Sequence, residues 1–171
     1  MEHINTLEEA KDYIATHYLF TEEHYPQLGK LSDEEKTIFI AKHCLLQVYQ
    51  KMYEFLTESE KVLYDILPDV QYPLIVASGH IMVNILKLGE LFTVDISMHA
   101  KIWNPKEGYI DILKFCSDVA AECTKHDRKN SYRQKNIQFA IEHMWEEFIK
   151  ILNFEKLSFY EELYRIVPML V

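Results

Sequence analysis

Glycine and proline are scarce in this chain of 171 residues, at 4 and 5. A many-stranded β fold needs turn residues about every 8–12 positions, so helices joined by short loops are expected instead. Cysteine is sparse too. Cys44, Cys116 and Cys123 are odd in number and form no CxxC, which excludes a disulfide scaffold and reads as reduced, buried thiols in a cytoplasmic protein. Cations are outnumbered, with 18 Lys and Arg against 27 Asp and Glu for a net charge of -9. That balance opposes general nucleic-acid binding, because neutralising phosphates takes clustered Lys and Arg. The opening residues MEHINTLEEAKDYI hold no basic stretch followed by an apolar run, so no secretion signal is expected.

Apolar residues are plentiful at 49%, enough for a real core in one domain spanning residues 1–171. The longest apolar run lies between Leu74 and Trp103, interrupted by His80, Asn84, Lys87, Glu90 and Asp95. Charged groups cost roughly 2.5–3.5 kcal/mol each at mid-bilayer. The run is therefore expected to be the central element of a folded domain, around which amphipathic segments pack, with no membrane partner.

Capping signals divide the rest. Thr6 with Glu9, Ser32 with Glu35, Thr57 with Glu60 and Ser131 with Gln134 match the capping-box pattern, in which side chain and backbone satisfy each other's free amides. They predict helices from about 7 to 20, from 33 onward, from 57 to 67 and from 131 onward. Asn104-Pro105 predicts another start, and the apolar positions Ile112, Leu113, Cys116, Val119, Ala120 and Cys123 recur at helical spacing behind it. Ile137, Ala140, Ile141, Met144, Trp145, Phe148, Ile149 and Leu152 do the same in the next helix. The expected fold is an all-α bundle of six or seven helices. One stretch competes: from Val94 to Ile102 apolar and polar residues alternate strictly, and a short two-stranded β element pairing it with Leu74 to Ala77 is the alternative near 74–103.

One segment breaks the acidic pattern. Residues 125–136 carry five basic side chains and one acidic, at the junction of two predicted helices. Arg128, Lys129, Arg133 and Lys135, with Ser131 at a helix start, form a candidate site for an anionic small molecule or an acidic protein partner. The plain alternative is a solvated loop whose Lys125 and His126 offset the preceding helix's negative end.

Eight histidines prompt a search for metal. Bundle cores hold divalent metals with His and carboxylates at helical spacing; the best such sets are His143 with Glu147, and Asp95 with His99. No HExxH, HxxxH or ExxH occurs. Asp111, Asp118 and Glu122 resemble in composition the carboxylate helices of small all-α nucleotide pyrophosphohydrolases, but the paired ExxE and ExxD motifs are not found together, and a solvated face accounts for them. GxSxG and Gly-rich phosphate loops are missing; Ser78-Gly79-His80 is the nearest approach. The 11 Tyr and 9 Phe suggest a recognition surface, for which Tyr13, Tyr18, Tyr25, Phe159, Tyr160 and Tyr164 near the two ends are the candidates, serving a homodimer.

The expectation from the residues is thus a non-enzymatic helical interaction protein without a cofactor. The alternative is a small all-α hydrolase of a phosphorylated small molecule, dependent on a divalent metal held by His143, Glu147, Asp95 and His99.

Overall fold

The structure, a computed structural model, describes residues 4–64, 71–97, 108–154 and 160–171. These residues form six α-helices: α1 (Leu7–His17), α2 (Asp33–Tyr64), α3 (Gln71–Phe92), α4 (Gly108–Lys129), α5 (Gln134–Phe154) and α6 (Tyr160–Leu170), with a 3₁₀ turn at Pro26–Lys30. The all-α expectation holds. The predicted start at Asn104-Pro105 lies outside the described residues.

The first two capping boxes form. Thr6 Oγ1 accepts the Glu9 N–H at 3.2 Å while Glu9 Oε2 accepts the Thr6 N–H at 3.2 Å. Ser32 Oγ accepts the Glu35 N–H at 3.4 Å, and the Glu35 carboxylate returns the bond to the Ser32 N–H at 2.8 Å. Those Ser32 bonds, backbone first, hold the Glu35 carboxyl below its ordinary range.

The other two boxes do not cap. Thr57 sits inside α2, its hydroxyl donating to the Tyr53 carbonyl one turn back at 2.9 Å. With no Gly or Pro between Asp33 and Tyr64, nothing interrupts that helix. Ser131 lies before α5, which opens at Gln134.

α3 is the centre, packed against α1, α2, α5 and α6. Residues 81–89 are all buried. By length and composition alone Tyr72–Phe92 could cross a bilayer, and 72% of its apolar window is buried inside the fold. Its buried polar groups are satisfied locally: Ser78 Oγ donates to the Leu74 carbonyl at 2.8 Å, Asn84 to the His80 carbonyl at 2.8 Å, and Lys87 pairs with Glu90 at 2.7 Å. Gly79 lets α6 approach, since a Cβ there would stand 2.6 Å from both Ile166 Cδ1 and Leu170 Cδ1.

The β alternative is not supported. Leu74 to Ala77 belong to α3, and Val94–Ser97 form no strand; residues 98–102 lie outside the described residues. The alternation is real but has another cause. Thr93 ends α3 with φ 56, and the chain then crosses the helices with Val94 and Ile96 buried and Asp95 exposed. Side chains take its carbonyls: Lys11 Nζ donates to Ile96 O at 2.9 Å, and Trp145 Nε1 to Ser97 O at 3.1 Å. Ile96 fills the space left by Gly89, so that glycine admits a packing contact and does not end the helix.

α4 and α5 form a hairpin. Ile112, Cys116, Val119 and Cys123 on one side and Ile137, Ala140, Ile141 and Met144 on the other are all buried.

Candidate functional site

The basic island occupies the tip of this hairpin. α4 runs to Lys129, where Asn130 adopts φ 49 and returns its N–H to the His126 carbonyl at 2.7 Å. Asparagine tolerates that left-handed geometry, so the turn is made without glycine. After three intervening residues α5 begins.

Arg128, Lys129, Ser131, Arg133 and Lys135 are all exposed. Among the described residues Lys11, Lys42, Lys51, Lys87, Lys114, Lys125 and Lys150 each pair with a carboxylate. The four island cations form no ion pair there, and neither do Lys30 and Lys36. The segment's remaining charges are engaged: Lys125 with Glu122 at 3.3 Å, and Asp127 with Lys42.

One backbone amide and one side-chain amide at the start of α5 are already in use. Glu122 Oε2 accepts the Arg133 N–H at 2.8 Å and Glu122 Oε1 accepts Asn136 Nδ2–H at 2.9 Å. Burial raises the Glu122 pKa, but the Arg133, Asn136 and Lys125 bonds outweigh it and hold the carboxyl below its ordinary range. The face of α4 read as solvated thus contributes an internal anion to the start of α5. A carboxylate eleven positions upstream has no local sequence signature.

Beside the tip lies a groove of about 530 Å³ between α4 and the N-terminal half of α2, with Leu31, Ile38, Phe39 and Lys42 facing Arg128 and Lys129. Ile38 is buried, whereas Phe39 is only half-buried. The His126 ring is 5% exposed, 5.8 Å from the Tyr132 ring, with Nε2 at 3.7 Å from Glu34 Oε1.

The metal-ligand candidates do not gather. His143 directs Nδ1 to the Phe139 carbonyl at 2.8 Å and stacks on the Phe139 ring at 3.9 Å. Glu147 is buried and pairs with Lys150. The Asp95 side chain is 97% exposed, with only Lys11 at 4.0 Å, and His99 lies outside the described residues. Among the described residues no three His, Cys, Asp or Glu side chains converge as a metal site would require. Asp118 pairs with Lys114 at 3.1 Å.

Nucleophile candidates are also committed. The Ser78 hydroxyl is buried and spent on its helix carbonyl. Burial pushes the Cys44 and Cys116 thiols up to about 12 and Cys123 to about 11, leaving little thiolate at neutral pH.

The terminal aromatic patch needs correction. Tyr13, Tyr18 and Tyr25 are half-buried and Tyr164 is buried, while the side chains of Phe159 and Tyr160 are outside the described set. Tyr25 packs on Phe20, Phe39 and His43, fastening the first loop to α2. The exposed aromatics among the described residues are Tyr49, Tyr53, Tyr72 and Phe139, on other helices. The chain matches no protein-family model, no curated protein and no solved structure.

Proposed function

We propose that the protein is a non-catalytic, cytoplasmic interaction protein that binds an anionic ligand or acidic partner at the α4–α5 tip. The supporting observation is where four cations without an ion pair among the described residues stand together. Arg128 and Lys129 lie in the last turn of α4 and offset that helix's negative end. Arg133 and Lys135 flank the first residue of α5, the positive end, where added positive charge is unfavourable. Stability gives no reason to keep them there, and neighbouring carboxylates do not neutralise them. Four cations without an ion pair among the described residues, on a chain of net charge -9, form a local field that would draw an acidic partner to one place.

The test is fluorescence anisotropy with a labelled polyglutamate peptide at low and moderate salt. Replacing Arg128, Lys129, Arg133 and Lys135 by Ala is expected to abolish most of the binding and its salt dependence, with an unchanged circular dichroism spectrum. Equal affinity for both proteins would refute the site.

Homodimerisation is proposed on a separate observation. Leu46, Tyr49 and Tyr53, at 64%, 37% and 73% exposure, recur at helical spacing along one face of α2. Sedimentation velocity on Leu46→Glu/Tyr53→Glu tests it: a dimer lost on substitution supports this face, and a monomeric parent protein refutes it.

A further inference from the structure

The groove beside the tip has a feature that a charge cluster alone does not need. Leu31, Ile38 and Phe39 give it an apolar wall, and Arg128 and Lys129 a cationic lip. Glu35 and Asp127 also line it, but Glu35 is bonded to Ser32 and Asp127 to Lys42. Glu35 keeps its negative charge, Lys42 and Asp127 offset each other, and Arg128 with Lys129 leave the balance of the lining positive.

A compact anion fits this surface poorly. Phosphate sites typically use free backbone amides at a helix start; the start of α5 is not part of this groove's lining, and the Arg133 amide just before it bonds Glu122. The end of α4, which forms the groove wall, presents carbonyls. Recognition falls to long side chains over an apolar floor, which suits an extended ligand with carboxylates on one edge and apolar groups on the other.

We infer that the groove receives an acidic amphipathic segment of another protein. Its apolar side chains rest on Leu31, Ile38 and Phe39, and its carboxylates meet Arg128 and Lys129. The inference rests on the reading of the α4–α5 tip as a site for anions, and adds the class of ligand.

The experiment compares two labelled peptides of equal length on the unmodified 171-residue protein. One is polyglutamate; the other carries Leu at helical i, i+3, i+4 and i+7 positions among Glu. The amphipathic peptide is expected to bind about tenfold or more tightly, the factor that burying one apolar side chain supplies. Phe39→Ser should remove that advantage and leave polyglutamate binding unchanged, whereas Arg128→Ala/Lys129→Ala should weaken both. Equal binding of the two peptides would overturn the groove assignment while leaving the tip as an anion site. Failure of both to bind would overturn the tip reading and the inference with it. Displacement of the amphipathic peptide by inorganic triphosphate at comparable concentration would reassign the groove to a compact polyanion. The peptide comparison uses the unmodified protein, so it stands even if Phe39→Ser disturbs the packing on Tyr25.

Discussion

The Glu122 carboxylate accepts the backbone N–H of Arg133 at 2.8 Å, across the turn that joins α4 to α5. One acidic side chain thereby ties the end of the hairpin and occupies one of the amides that an external anion would seek. Glu122→Ala is expected to lower stability by about 1 kcal/mol, the usual loss for a helix cap, measured by urea denaturation. Because the folded-state pKa is lowered, this contribution is fully present above the ordinary value of 4.5 and disappears as pH falls through the lowered one. Glu122→Gln should flatten that acid limb; an unchanged limb would assign it elsewhere.

Arg133 and Lys135 pit stability against binding. Their joint replacement by Ala removes charge from the positive end of α5 and is expected to leave stability unchanged or raise it by a few tenths of a kcal/mol, while weakening polyglutamate binding. A clear loss of stability would show that the two cations serve the fold.

Thr93 ends α3 at φ 56, left-handed geometry that a β-branched residue adopts only under strain. Thr93→Gly should raise stability by about 1 kcal/mol, read from the denaturation midpoint. A fall would mean that the side chain makes contacts worth more than the strain.

Burial lowers the pKa of His43, and burial followed by the Lys51 charge lowers that of His80. Both are favoured in the neutral form when folded, so the unfolded chain binds more protons once pH drops below the ordinary 6.5. Stability should therefore be constant in this respect above that value and decline beneath it. His43→Phe, which preserves a ring against Phe20 and Tyr25, should reduce the slope between neutral pH and about pH 5.

Local rules made much of the fold legible. Thr6 and Ser32 cap as their spacing requires, the apolar period of α5 maps onto a fully buried face, and α3 is the central helix that its composition suggested. Thr57 shows where local rules stop: its capping pattern is intact, yet no breaker interrupts α2 and the hydroxyl bonds back into the helix. The Val94–Ser97 alternation records a segment with one buried side, and only Lys11 and Trp145, distant in sequence, determine that helices cover it. The island cations were visible as a charge anomaly. The groove was not, because it joins Phe39 to Lys129 across two helices, and a half-buried aromatic reads as core when only its own helix is considered.

The most direct measurement is a ¹H–¹⁵N correlation spectrum of the protein titrated with the acidic amphipathic peptide. The account predicts that the largest shift changes fall on the amides of Arg128–Lys135 and on Leu31, Ile38 and Phe39, with α6 unmoved. Saturable changes confined to other surfaces, or no changes where both peptides are soluble and the protein is folded, would contradict it.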